Sequence, residues 1–186
     1  MLGGPNGAGK TTVAASLLPD ALGIREFVNA DEIARGLSPF NPEGSAVAAG
    51  RLMIERMRAL ARAGESFAFE TTCAGRGYVR LLQTCRTAGY RLSLVFLWLP
   101  SAEAALARVA RRVREGGHGI PDDVVRRRYA AGLRNLRRLY LPMMDIALIY
   151  DATDGAGMAL IAEQTSGGTL MVNDPVSWAL IEEATR

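Results

Sequence analysis

The stretch Gly4-Pro5-Asn6-Gly7-Ala8-Gly9-Lys10-Thr11-Thr12 decides how the rest of the chain is read. It satisfies G-x-x-x-x-G-K-[ST] at every fixed position. Its glycines let backbone N–H groups turn inward into an anion-binding concavity. The helix that starts there adds its positive N-terminal dipole. On this reading Gly4, Asn6, Gly7, Ala8, Gly9, Lys10, Thr11 and Thr12 line a nucleotide phosphate site. Lys10 reaches the β- and γ-phosphates and Thr11 ligates Mg²⁺, so ATP and Mg²⁺ are the expected cofactors. The competing reading is a glycine-rich turn that opens a helix by chance. Composition weighs against it: of 22 Lys and Arg residues, Lys10 is the single lysine. A compact ammonium and a planar guanidinium are not interchangeable, so the one lysine marks a place where arginine cannot serve.

At 186 residues, 49% of them apolar, the chain is expected to form one α/β domain over 1–186 with a packed core. No apolar run approaches the ~20 residues of a membrane helix. The N-terminus carries no charged n-region or apolar h-region. A cytoplasmic protein without membrane contact is the expectation. Cys73 and Cys85 match no zinc spacing and are expected to be reduced. The net charge of +3 and pI of about 9.2 come without a nucleic-acid reader motif, so nucleic acid is not the expected partner. Only Met1 and Leu2 precede Gly3, where a buried central strand normally leads into a phosphate loop. A stub of a strand, or a start lying further upstream, is expected there.

Outward from the loop, short apolar runs alternate with helical stretches, the pattern of a parallel sheet covered by helices. Strands are expected at Glu26–Asn29, Ser66–Glu70, Arg91–Leu99 and Ile146–Asp151, with weaker ones at Met158–Glu163 and Thr169–Val172. Helices are expected near Gly9–Leu18, Gly44–Ala63, Gly75–Ala88, Ala102–Glu115 and Asp122–Leu141, with a short one after Pro175. The fold class is α/β, a P-loop NTPase-type parallel sheet with helices on both faces and a helical lid over about 108–138.

In open α/β sheets ligands bind beyond the carboxyl ends of the strands, and two carboxylates fall there. Asp31 is either the base that accepts a proton from an acceptor hydroxyl or an N-cap of a helix over Glu32–Gly36. Glu70-Thr71-Thr72 offers polar groups for magnesium or substrate hydroxyls, or is a turn in which Thr72 caps the next helix. Arg108, Arg111, Arg112 and Arg114 lead through Gly116-Gly117-His118-Gly119 to Arg126, Arg127, Arg128, Arg134, Arg137 and Arg138. This helix, glycine-rich hinge and helix make a lid whose arginines can close on phosphates. Tyr129, Leu133, Leu136 and Tyr140 form an apolar stripe, which leaves most of the arginines, Arg137 and Arg138 among them, on a solvated face. His118 is expected as a hinge or loop contact, since no second metal ligand lies near it. Ser166-Gly167-Gly168 hints at an ABC-type signature, but the acidic strand follows too soon for that layout.

These blocks together resemble the zeta-toxin-like P-loop kinases, in particular their compact bacterial branch. The matching residues are Gly3-Gly4-Pro5-Asn6-Gly7-Ala8-Gly9-Lys10-Thr11-Thr12, Phe27-Val28-Asn29-Ala30-Asp31-Glu32-Ile33-Ala34 and Phe69-Glu70-Thr71-Thr72. Arg108-Val109, Arg112-Val113, Gly116-Gly117-His118, Ile120-Pro121, Arg128-Tyr129 and Ile149-Tyr150-Asp151 follow in the same order. The resemblance implies an ATP-dependent kinase that phosphorylates a hydroxyl of a small acceptor, a nucleotide sugar being one candidate. It implies Asp31 as base, Glu70 and Thr72 as acceptor-binding residues, Arg112 and Arg128 as phosphate clamps, and an antitoxin-like protein as a candidate partner. The chain departs from the family pattern at Asp151-Ala152-Thr153, where Asp-Asn-Ser is expected. The alternative is a P-loop ATPase or switch acting through protein or nucleic-acid partners.

Overall fold

The computed structural model describes residues 1–19, 23–117, 119–154, 157–165 and 168–185. His118 and the Ser166-Gly167 pair, both singled out in the sequence, lie outside the described residues. The chain, expected to be one domain, divides into two compact units, Thr11–Glu70 and Met1–Lys10 with Thr71–Arg186.

The unit Thr11–Glu70 holds most of α1 (Lys10–Leu17), then β2 (Glu26–Val28), α2 (Ala30–Leu37), α3 (Ala46–Ala63) and β3 (Phe67–Thr71) up to its fourth residue. β2 and β3 pair in parallel, with Val28 opposite Phe69. α3 buries Ala49, Met53, Met57 and Leu60, a stripe at helical spacing, and packs against α2. It stops at Gly64, whose φ of 73° lets its N–H and that of Glu65 turn back to carbonyls of the last turn.

The other unit carries β1 (Leu2–Gly3), α4 (Val79–Thr87), β4 (Ser93–Trp98), α5 (Ala102–Arg114), α6 (Asp122–Asn135), β5 (Ile146–Asp151), β6 (Ala159–Gln164), β7 (Leu170–Val172) and α7 (Pro175–Glu183). Its strands run in the order β1-β4-β5-β6-β7. β4 pairs in parallel with both β1 and β5. Leu94, Phe96, Leu97 and Trp98 of β4 are all buried, the near-continuous apolar run of a strand covered on both sides.

Among the described residues, seven strands alternate with seven α-helices in a mostly parallel arrangement, the α/β organisation of P-loop NTPases. It is not wholly parallel: β6 runs antiparallel to β5, and β7 to β6. Only residues 152–158 separate β5 from β6, fewer than the dozen or so a parallel crossover needs. The expected helix Asp122–Leu141 is α6 followed by a π-turn at Leu136–Tyr140 and a 3-10 turn at Leu141–Met143. Pro142 cannot donate the N–H that a continuing α-helix would use. β1 spans the two residues Leu2 and Gly3. Among the described residues no helix is long and apolar enough to cross a membrane.

Candidate functional site

The phosphate loop joins β1 to α1. Gly4 has φ 144°, and a Cβ there would stand 2.4 Å from the Leu97 carbonyl oxygen, so no side chain fits against β4. At Gly7, φ 80°, a Cβ would meet Arg108 Cβ at 2.8 Å and the Ala105 carbonyl at 3.1 Å. The loop is therefore pressed between β4 and α5. Lys10 is 5% exposed and its Nζ donates to the Pro5 carbonyl at 2.9 Å, which folds the ammonium back over the loop. Asn6 is buried, and its Oδ1 has no hydrogen-bond partner. Concave backbone, buried ammonium and helix N-terminus fit a polyphosphate.

In the unit that begins at Thr11, the side chains of Thr11, Asn29 and Glu70 come together. The Thr11 hydroxyl donates to Glu70 Oε2 at 2.7 Å, and Asn29 Nδ2 donates to the same oxygen at 3.1 Å. Asn29 Oδ1 accepts the Asp31 N–H at 2.8 Å. Asn29 is thus the N-cap of α2, and Asp31, read from sequence as either cap or base, is not the cap. The helix starts two residues earlier than expected, so the Asp31 carboxylate stands exposed in its first turn. Thr11 and Glu70 present hard oxygen donors of the kind magnesium takes. Among the described residues there is no cluster of three or more His, Cys, Asp or Glu.

Thr72 does not cap the next helix either: α4 begins at Val79 with Tyr78 before it. The segment after β3 is instead held by α6 and the turn that follows. A Cβ on Gly132 would lie 2.5 Å from the Thr72 carbonyl oxygen. Asn135 Nδ2 donates to the carbonyls of Cys73 at 3.0 Å and Ala74 at 2.8 Å, and Tyr140 donates to that of Gly75 at 2.5 Å. Cys73 has φ 59°, the left-handed region that non-glycine residues seldom enter, and its N–H donates to Thr71 Oγ1 at 3.0 Å. Burial pushes its thiol up to about 12, against the smaller opposing pull of Lys10.

In the segment expected as a lid, Arg112 and Arg128 are half-buried. Arg126 pairs with Glu103, which ties α6 to α5. Arg108 donates to the Thr153 carbonyl at 2.5 Å, and Tyr129 donates to that of Leu99 at 2.8 Å. Arg137 is not on a solvated face: its guanidinium pairs with Glu182 at 2.5 Å and lies 5.1 Å from the Trp178 ring centroid. α7 covers it, and the stripe alone did not reveal that. Arg138 is exposed, as expected. Sequence reasoning assigned no role to Asn29, Gly132 or Asn135. The preference of Asn for the N-cap, at the end of an apolar strand, would have exposed Asn29. No local signal marks the other two.

The model of the AAA domain family matches residues 1–139. A protein of Haemophilus influenzae described only as uncharacterized is 32% identical over 126 residues, covering 68% of this chain and 88% of that one. The chain belongs to the AAA domain family of P-loop proteins. Solved structures share the fold. The AvrRxo1-ORF1:AvrRxo1-ORF2 complex with sulphate ions aligns with TM-score 0.75 at 19% identity over 99% of this chain and 62% of that one. The same complex with ATP gives 0.72 at 19% identity, with the same coverage. The PezAT toxin-antitoxin system of Streptococcus pneumoniae gives 0.66 at 16% identity over 98% of this chain and 83% of that one. This chain therefore spans about three fifths of the AvrRxo1 chain it matches. These likenesses show a P-loop fold shared with the zeta-toxin-like proteins.

Proposed function

We propose that this protein is an ATP-dependent phosphotransferase acting on a hydroxyl of a small acceptor, with a nucleotide sugar as one acceptor class. The observation that carries the reading is the chain of contacts from the phosphate-loop residue Thr11 through Glu70 and Asn29 to the helix turn bearing Asp31. A carboxylate tied in this way to the phosphate loop is suited to take the proton of an attacking hydroxyl. The ATP-bound AvrRxo1 complex, which shares the fold, supports ATP as the nucleotide.

In this reading the amides of Gly4, Asn6, Gly7, Ala8, Gly9, Thr11 and Thr12 and the Lys10 ammonium hold the phosphates. Magnesium, held by Thr11, would supply charge neutralisation at the phosphates. Asp31 takes the proton of the acceptor hydroxyl, Glu70 and Thr72 orient that acceptor, and Arg112 and Arg128 balance the charge that develops on the transferring group. The site is proposed to work in the cytoplasm. The toxin-antitoxin complex among the fold relatives supports an antitoxin-like protein as partner.

The test is incubation with γ-labelled ATP and a metabolite extract. A kinase forms ADP in step with a labelled small molecule, and Lys10→Ala weakens ATP binding and abolishes transfer, with no rescue by Lys10→Arg. Label recovered only as inorganic phosphate would overturn the reading in favour of an ATPase or switch.

A further inference from the structure

The Asn29 carboxamide has no part in the roles above, yet both of its ends are engaged. It lies between β2 and α2 and is 6% exposed. Its oxygen accepts the Asp31 N–H at 2.8 Å, while its nitrogen donates at 3.1 Å to the same Glu70 oxygen that takes the Thr11 hydroxyl at 2.7 Å. A cap needs only the acceptor, and Asp or Ser would supply that as well. An ionised Asp cannot also donate to a carboxylate, and Ser has one oxygen for both tasks, whereas the amide divides them between two atoms. The amide is therefore more than a cap.

We propose that Asn29 is a positioning residue: it holds Glu70 Oε2 against the Thr11 hydroxyl and, from its other end, fixes the first turn of α2 on which Asp31 stands. The proposal rests on the nucleotide-binding reading above. Glu70 and Asn29 are 41 residues apart in sequence, and this contact links the end of β3 to the start of α2 through a charged group. A hydrogen bond to a charged acceptor is stronger than one between neutral groups. Without it, Glu70 Oε2 would lose the donor that holds it from the α2 side, and Thr11 would lose an oriented partner.

The experiment measures ATP affinity by calorimetry, once with magnesium and once with EDTA, beside the melting temperature. The quantity read is the ratio of the two affinities. Asn29→Ser keeps a capping oxygen and should melt close to wild type, yet its magnesium-dependent gain in affinity should fall about tenfold. Asn29→Asp, also a good cap, opposes Glu70 with a second carboxylate and should lose at least as much. Glu70→Gln should show the same loss, and adding Asn29→Ser to it should change nothing further, because the first acts through the second. A wild-type ratio in both Asn29 variants would overturn the proposal, as would losses at Asn29 and Glu70 that multiply. Wild-type protein that binds no ATP at all would instead overturn the nucleotide-binding reading itself.

Discussion

Asp31 shows what one residue's position in a helix decides. The backbone N–H that a cap would satisfy is its own, and Asn29 satisfies it. The carboxylate is therefore spared for chemistry and contributes to folding only through the positive end of α2, an effect of about 0.3–1 kcal/mol. Asp31→Asn should leave thermal stability nearly unchanged in calorimetry. Transfer to the acceptor should fall by ~10²–10⁴, the usual contribution of a general base, with ATP binding retained. A rate within a few-fold of wild type would remove Asp31 from the mechanism.

At the scale of elements, α6 and the turn after it hold the segment from Thr72 to Gly75. Gly132 of α6 allows helix backbone to approach the Thr72 carbonyl, and Asn135 and Tyr140 hold the carbonyls of the next three residues. In the second helix of the segment expected as a lid, Val125 and Leu133 are buried, as is Leu136 at its end. Gly132→Ala sets a methyl carbon against a backbone oxygen with no flexible side chain to yield. It should destabilise by about 1–3 kcal/mol in urea unfolding. Gly36→Ala in α2 meets nothing within 4 Å and should stabilise by about 0.5–1 kcal/mol. Equal effects at the two glycines would refute this account of the α6 contact.

Across the whole molecule, several acids are held neutral by burial. The Cys73 thiol is pushed from 9.0 up to about 12, and the Tyr129 phenol from 10.0 up to about 12, desolvation being the largest cause in each. Burial moves Tyr140 in the same direction. A folded-state value above the unfolded one means that the native state keeps its proton longer. The stability these groups confer is therefore complete below about pH 9 and is lost as pH rises towards 12. Melting temperature should fall above pH 9, with Cys73→Ala delaying the onset towards pH 10, where the tyrosines take over. A flat profile up to pH 11 would contradict the burial of these groups.

The sequence alone determined the phosphate loop, the alternation of strands and helices and the ends of most of them. These depend on near neighbours: glycine and lysine spacing, apolar periodicity, and the residues that start or stop a helix. It could not show that β6 and β7 run antiparallel, although the short link after β5 was visible. Tertiary structure alone decided which polar groups met. Glu70 found Thr11 and Asn29 at separations of 59 and 41 residues, and Asn135 found Cys73 at 62. The arginines look alike in sequence, yet α7 brought Glu182 and Trp178 to Arg137 and left Arg138 exposed. Such pairings are set by where the packed elements place their faces, and periodicity reports which face is apolar without saying what will cover it.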